Sequence, residues 1–187
     1  KEHIDAVNAS GLSIEGIGGD RVIRSIRGTT DPAQAGKADL VIVFVKATAT
    51  EQAMKGALSL LGPETVVLTL QNGLGNVEKL NETAGAERVM AGITGHGCTL
   101  LGPGKIRHAG QGDTILGEPR GQISDRLKRV GGMFEKAGFS VKLSENVIGL
   151  IWGKLFVNVG INALTAVTGL KNGRLVELQE TEELLET

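Results

Sequence analysis

The stretch Asp39-Leu-Val-Ile-Val-Phe-Val45 decides the fold. It is a continuous apolar and largely β-branched run, which is typical of a parallel strand buried on both faces of a sheet. A second run of this kind, Thr65-Val-Val-Leu-Thr-Leu70, follows after a helix predicted over residues 50–61. Strand, helix and strand in this order indicate a parallel, doubly wound α/β sheet.

The alternation of strands and helices continues on both sides of these two runs. Helices are predicted over 3–10, 74–83 and 125–137, and further strands over 12–15, 21–26, 88–94, 105–109, 113–117 and 139–143. The strands 105–109 and 113–117 form a hairpin or adjacent edge strands in this interpretation. From Ser144, the predicted cap, the pattern is purely helical, with a break at 171–173 before an acidic tail helix, 174–187. We therefore expect the remainder of a Rossmann-like domain over 1–143 and the first helices of an all-helical domain over 144–187.

Composition excludes several classes of protein. The 187 residues carry 20 basic and 21 acidic side chains, so no electrostatic footprint for nucleic acid is present. The absence of tyrosine excludes the tyrosine–lysine mechanism of short-chain dehydrogenases. Cys98 is the only cysteine, which excludes an internal disulfide and favours a reducing, cytoplasmic location. The most apolar stretch, 147–168, is interrupted by polar residues and glycines, which argues against a membrane span.

Two loops follow the predicted parallel strands at the edge of the sheet where ligands bind. Lys46 comes directly after Val45, and Asn72-Gly73 come shortly after Leu70. A lysine there suits a phosphate or ribose edge, and an Asn-Gly turn allows a close backbone approach. The alternative is a solvated lysine and an ordinary turn. No Gly-x-Gly-x-x-Gly fingerprint is present, so we expect the first nucleotide-binding unit to be missing.

A polar stripe interrupts the long apolar helix. Lys154, Asn158 and Asn162 recur every four residues and therefore share one face. A lysine among apolar residues must reach a pocket, find a partner or lose its proton. The functional interpretation is a pocket that hydrogen-bonds a small polar ligand. The alternative is a lysine that extends to solvent, with asparagines that bridge neighbouring helices.

Histidine and cysteine offer little further chemistry. His96 and Cys98 follow the strand 88–94 and could line the same crevice, whereas His108 is interpreted as structural. Three histidines and one cysteine spread along the chain are too few for a zinc site, so no metal is predicted.

The sequence that contains the polar stripe resembles the signature of the ketopantoate reductase family. The segment Trp152-Gly-Lys-Leu-Phe-Val-Asn-Val-Gly-Ile-Asn-Ala-Leu-Thr-Ala166, followed by Lys171-Asn-Gly173, is similar to the signature of that family. The strand that ends in Val45-Lys46-Ala47, the turn Gln71-Asn72-Gly73-Leu74-Gly75 and the stretch Gly92-Ile-Thr-Gly-His96 agree in order and spacing. The resemblance covers essentially the whole chain.

The resemblance implies an NADPH-dependent reduction of 2-dehydropantoate to pantoate, for pantothenate and coenzyme A synthesis. It assigns the role of general acid to Lys154. The implied substrate-binding positions are Asn72, Asn158, Asn162 and Asn172. The implied NADP contacts are Lys46, Asn72 and Cys98, the last through a small-residue position where the backbone matters more than the thiol.

The sequence also departs from the family. The Gly-rich unit, the basic residue that reads the 2′-phosphate and most of the helical domain are absent, so we expect the 187-residue chain alone to be inactive. Two alternatives stay open. One is a related reductase of another 2-keto acid. The other is a non-catalytic fragment that folds and self-associates, for example as a homodimer, through the bare surface left by the missing parts.

Overall fold

The computed structural model describes residues 1–175 and 177–179, and within them it has five α-helices and nine strands. The helices are α1 Glu2–Ser10, α2 Thr50–Gly56, α3 Asn76–Ala84, α4 Asp125–Lys136 and α5 Val147–Thr168. The strands are β1 Leu12–Gly16, β2 Arg21–Ile23, β3 Ala38–Val43, β4 Leu61–Thr69, β5 Val89–Thr94, β6 Gly97–Gly102, β7 Lys105–Gly110, β8 Thr114–Gly117 and β9 Val141–Ser144. The 3-10 turns are Pro32–Ala35, Ala47–Ala49, Leu58–Leu60 and Asn172–Arg174. The predicted tail helix, 174–187, falls largely outside the described residues.

The larger sheet has the strand order β3-β4-β5-β8-β9. Strands β3, β4 and β5 are parallel, as predicted from their apolar runs. Strand β8 is antiparallel to β5, and β9 runs parallel to β8. The sheet is therefore mixed. In its parallel part the carboxyl ends of β3, β4 and β5 lie next to one another.

Both faces of the larger sheet are covered by helices. Alternation along β4 sends Val67 into a core with α2, α3 and α5, and Val66 and Leu68 into a core with α4. Leu68 is fully buried. Burial of each such side chain contributes about 1.5–3 kcal/mol. The continuous apolar pattern of residues 65–70 thus has the expected cause, a central strand.

The prediction that the stretch 39–45 is a strand buried on both faces of the sheet is wrong. Of the residues in β3 only Val43 is buried, and Ile42 and Phe44 are 42% and 61% exposed. The reason is position, because β3 pairs with β4 alone among the described strands and forms an edge of the sheet. A β-branched run predicts a strand, but it does not distinguish a central strand from one whose second neighbour lies elsewhere.

The smaller sheet corrects a second prediction. Its order is β2-β1-β7-β6, and β8 belongs to the larger sheet. Residues 105–109 and 113–117 therefore do not pair with each other. Strand β6, which was not predicted, pairs with β7 in an antiparallel ladder. Its glycine-flanked, largely exposed residues give no burial pattern from which it could be recognised.

Two helix boundaries also differ from prediction. Helix α2 ends earlier than expected, at Gly56, a residue of low helix propensity, and a 3-10 turn then leads into β4, which contains Gly62 and Pro63. The cap of α5 is Asn146, whose side chain accepts a hydrogen bond from the Gly149 amide at 3.0 Å. Ser144 instead ends β9 and accepts from the Asn146 amide.

Helix α5 is the most exposed apolar element among the described helices. Only Val147 and Ile151 are buried, whereas Phe156 and Val167 are 72% and 86% exposed. Its length and mean hydropathy of 1.6 would let it cross a membrane, a property shared with core helices of soluble proteins. Exclusion of α5 from a bilayer by its polar stripe remains a prediction, as does self-association through its exposed apolar surface.

Candidate active site

The carboxyl ends of the parallel strands β3, β4 and β5 all lie at the same end of the larger sheet. In the register, Val43 lies opposite Thr69, and Thr69 lies opposite Ala91. The loops that follow β3 and β4 line a shared cleft of about 290 Å³. The structure thus brings Lys46 and Asn72 together in one cleft, where parallel sheets place their ligands.

Lys154 projects from α5 toward the end of the adjacent strand. Its Nζ donates a hydrogen bond of 2.8 Å to the carbonyl of Thr94, the last residue of β5. The side chain is half-buried, and this desolvation lowers the pKa of the Lys154 ammonium below its ordinary value of 10.5. No described carboxylate forms an ion pair with it. A cation without a counter-ion in this position is suited to stabilise negative charge on a ligand.

The two asparagines of the stripe continue along α5. Asn158 is half-buried one turn beyond Lys154, and Asn162 is exposed one turn further on. Neither side-chain amide forms a hydrogen bond with a described residue. Both amides are therefore available to a ligand that lies along this face of the helix.

Asn172 and Cys98 lie apart from this constellation. Asn172 begins a 3-10 turn beyond Gly169, which closes α5. The last helical residue, Thr168, is 14 residues after Lys154, or roughly 21 Å along the axis. Cys98 is exposed on β6 of the smaller sheet. It lines a groove of about 660 Å³ that also includes Phe44, Leu70 and Thr94, so it borders the site from a different sheet.

A buried polar cluster behind the two loops was not predicted. It consists of Thr50, Thr69, Gln71 and Asn76, and we call it the Gln71 cluster. Gln71 Nε2 donates to the Val45 carbonyl at 2.6 Å and to Thr50 Oγ1 at 2.9 Å. Ligands bind at the carboxyl ends of parallel strands, and this rule selects both loops. Nothing in the sequence indicates that the side chain of Gln71, after β4, contacts the loop after β3.

Aromatic and imidazole rings occupy the space between the two sheets. His96 Nδ1 and His108 Nε2 are 3.0 Å apart, and the His96 ring packs against Phe139. His96 and Cys98 line the groove of about 660 Å³, and not the cleft of Lys46 and Asn72 in which they were expected. Trp152 is 47% exposed and lines a small cleft beside Gln71.

Comparisons with known proteins agree on one family. The family model described as "Ketopantoate reductase PanE/ApbA" matches residues 1–121. The model described as "Ketopantoate reductase PanE/ApbA C terminal" matches residues 146–187. Together they cover most of the chain on either side of the α4 region.

Individual relatives give the same result. The chain is 39% identical over 185 residues to a 2-dehydropantoate 2-reductase of Halobacterium salinarum, which covers 99% of the chain and 61% of the relative. It is 37% identical to the enzyme of that name from Pyrococcus horikoshii, covering 92% of the chain and 56% of the relative. The chain thus spans about three fifths of the length of these curated relatives.

A solved structure shows the same fold. The crystal structure of 2-dehydropantoate 2-reductase from Geobacter metallireducens superimposes with a TM-score of 0.90 at 29% identity, covering 99% of the chain and 62% of that structure. This confirms the predicted fold class, a Rossmann-like α/β domain followed by the start of a helical one. The chain belongs to the ketopantoate reductase PanE/ApbA family.

Proposed function

We propose that the whole protein reduces 2-dehydropantoate to pantoate with NADPH, in pantothenate and coenzyme A biosynthesis. The names of its relatives supply the reaction class, an oxidoreductase acting on a small keto acid. One observation carries the proposal for this chain. The Lys154 ammonium is half-buried, lacks a described carboxylate partner, and is held at the carboxyl end of β5, which is parallel to the two strands whose following loops contain Lys46 and Asn72.

The division of labour between two units, 1–143 and 144–187, is part of this proposal. The two family models match on either side of that boundary, at 1–121 and 146–187. Residues 1–143 bind the coenzyme, and α5 carries the proton donor, Lys154. A cytoplasmic location is likewise proposed, with the single cysteine as its support.

The residues at the strand ends fit a nicotinamide dinucleotide. Lys46 is an exposed cation beside the cleft, suited to a phosphate or ribose edge. Gly73 has φ +86° and open space where a Cβ would stand, so a ligand can approach its backbone closely. Asn72 would contact coenzyme and substrate, and Cys98 would contribute its backbone from the smaller sheet. When bound, the reduced nicotinamide supplies the hydride.

Lys154 supplies the proton in this proposal. Reduction of a ketone leaves negative charge on its oxygen, and an ammonium within hydrogen-bond reach stabilises that charge and then donates a proton. The amine that remains regains its proton from water. Burial assists the transfer, since a lowered pKa makes the Lys154 ammonium a stronger acid than an exposed lysine.

The asparagines orient the substrate. Asn158 and Asn162 carry amides without described partners on the same helix face as Lys154, and can hydrogen-bond the hydroxyl and keto groups. Orientation of this kind provides several kcal/mol of barrier reduction. Asn172 is assigned to the substrate through the family resemblance, and it would approach from the segment that follows α5.

The test is a coenzyme-oxidation assay of the whole protein with 2-dehydropantoate and a panel of other 2-keto acids, each with NADPH and with NADH. We expect kcat/KM for 2-dehydropantoate to exceed that of the others by about 10- to 100-fold, the range that differences in side-chain fit give. Faster turnover of another 2-keto acid favours the related-reductase alternative. Absence of turnover with every acid and both coenzymes contradicts the proposed function.

A further inference from the structure

We infer that Gln71 is a positioning residue that fixes the Lys46 loop relative to the Asn72 loop, acting through Thr50 and Asn76. The inference rests on the proposed function, because it assigns a purpose to the spacing of two residues proposed to contact the coenzyme. Gln71 itself is buried, with 9% of its surface exposed, and its role is to place other groups.

The first half of the connection is the amide of Gln71. Its Nε2 donates to the carbonyl of Val45, the residue directly before Lys46, at 2.6 Å. The second Nε2 hydrogen bond goes to Thr50 Oγ1 at 2.9 Å, and Oε1 accepts from Thr69 Oγ1 at 3.0 Å. Both donors and the acceptor of the amide are therefore used, and they hold the loop after β3 against the end of β4.

The second half returns from Thr50 to the loop after β4. Thr50 Oγ1 donates to Asn76 Oδ1 at 3.0 Å, and Asn76 Nδ2 donates to the carbonyl of Asn72 at 3.2 Å. Thr50 and Asn76 are 0% and 3% exposed. An unbroken series of hydrogen bonds thus connects the carbonyl before Lys46 with the carbonyl of Asn72. Since the series is buried, loss of one member leaves a polar group unsatisfied, at a cost of about 1–3 kcal/mol.

The location of the cluster connects it with ligand binding. Gln71 lines the cleft shared with Lys46 and Asn72. Lys79 Nζ adds a hydrogen bond of 3.1 Å to the carbonyl of Ala47, so α3 also holds the first loop. A displacement of about 1 Å in a positioning group can lower the rate about 100-fold, so the fixed spacing of these loops has a functional consequence.

Three variants separate the hydrogen bonds from the shape of the side chains. Gln71→Glu is isosteric but places an oxygen opposite the Val45 carbonyl, where a donor is needed. Thr50→Val removes the hydroxyl that joins the two halves, and Thr50→Ser restores it. The matched control is Gln52→Glu, an exposed residue of α2 with the same change of charge and no described hydrogen-bond partner for its side chain.

Two measurements on the whole protein apply to all four variants. Hydrogen–deuterium exchange of residues 44–50 and 71–77 reports on how firmly the loops are held. A fluorescence titration with NADPH gives the Kd of the coenzyme. We expect Gln71→Glu and Thr50→Val to accelerate exchange in both loops and to raise the Kd about tenfold or more. Thr50→Ser and Gln52→Glu should remain within about twofold of wild type, since neither loses the connecting hydrogen bonds.

The outcomes distinguish this inference from the proposed function. Wild-type NADPH binding together with an unchanged Kd or unchanged loop exchange in Gln71→Glu overturns the positioning role alone. A Thr50→Ser variant as defective as Thr50→Val also overturns it, because the hydroxyl would then not be the cause. A wild-type protein that binds neither NADPH nor NADH contradicts the proposed function and the positioning role with it.

Discussion

The ammonium of Lys154 is bound to a neutral carbonyl rather than to a carboxylate. Burial therefore lowers the Lys154 pKa in the folded state, with no opposite charge to raise it again. Between that folded pKa and the ordinary value of 10.5, the unfolded chain binds more protons, so stability rises with pH in this window. Below the window the buried charge opposes folding. A charged side chain that stays buried at a cost in folding stability is a candidate catalytic group.

The protonation state of Lys154 gives a prediction at the same scale. The rate of keto reduction should fall as the pH rises through the Lys154 pKa, below 10.5, because the protonated form is the donor. Lys154→Arg keeps a cation that does not titrate below about pH 12, so the alkaline decline should disappear while kcat at pH 7 falls about tenfold or more. The measurement is kcat from pH 6 to 10, with exposed Lys136→Arg as the control. An unchanged alkaline decline in Lys154→Arg contradicts the assignment.

Individual site residues differ in how far the sequence predicts them. Lys46 and Asn72 follow apolar strands, and parallel strand ends share an edge, so their common cleft was predictable. The stripe on α5 followed from four-residue spacing. The partner of Lys154 did not, since Thr94 is a backbone carbonyl 60 residues away. Spacing identifies residues on one element, whereas contacts between elements require the tertiary structure.

At the scale of elements, the approach of α5 to the sheet depends on a glycine in β8. A Cβ at Gly117 would lie 2.6 Å from the Ser144 carbonyl oxygen and 2.6 Å from the Val147 Cβ. Val147 is the first residue of α5, and Lys154 follows two turns later on the same helix. The small residue therefore lets α5 start close enough to the sheet for Lys154 to reach β5.

Gly117→Ala should lower the free energy of unfolding by about 1–3 kcal/mol, since the added methyl group overpacks this contact. The control is Gly132→Ala in α4, where no atom lies within 4 Å of the new Cβ. That control should raise stability by about 0.5–1 kcal/mol through helix propensity. Urea denaturation of both variants checks the pair. Equal stability of Gly117→Ala and wild type would show that α5 does not need the close contact.

The elements themselves were predicted to different extents. Strands β4 and β5 and helix α4 have apolar patterns whose period matches their structure, and they lie close to the expected positions. Strand β6 carries no such pattern, and β7 pairs both with its sequence neighbour β6 and with the distant β1. Periodicity therefore predicts an element with a buried face, but not which sheet an exposed strand joins.

At the scale of the whole molecule, the ion pair between Glu118 and Arg126 lies beside the amino end of β5, whereas the candidate site lies at its carboxyl end. Glu118 is 2% exposed and accepts hydrogen bonds from Arg126 Nε at 2.7 Å and from Ser124 Oγ at 2.5 Å. Arg126 also donates to the Glu87 and Val89 carbonyls, so it joins α4 to the start of β5. Burial opposes ionisation most strongly, but the hydrogen bonds from Arg126 and Ser124 together hold the Glu118 pKa below 4.5.

This ion pair predicts a loss of stability in acid. Because the folded pKa of Glu118 is lowered, its contribution is complete above about pH 4.5 and is lost as the pH falls through the folded value. Glu118→Gln should lower the free energy of unfolding at pH 7 by about 1–3 kcal/mol and flatten its dependence on pH below 4.5. Urea denaturation from pH 3 to 7 tests this, with exposed Glu82→Gln as the control. A steep acid dependence that survives in Glu118→Gln would assign it to other carboxylates.

The most direct test of the central claim is the kcat for NADPH-dependent reduction of 2-dehydropantoate by the whole protein, compared between wild type and Lys154→Ala. Removal of a general acid typically costs 10²- to 10⁴-fold, so kcat should fall by at least about 100-fold. The Kd for NADPH should change by less than about threefold, because Lys154 lies on α5 and not in the coenzyme cleft. A Lys154→Ala variant with kcat within a few-fold of wild type would contradict the assignment of the proton to Lys154.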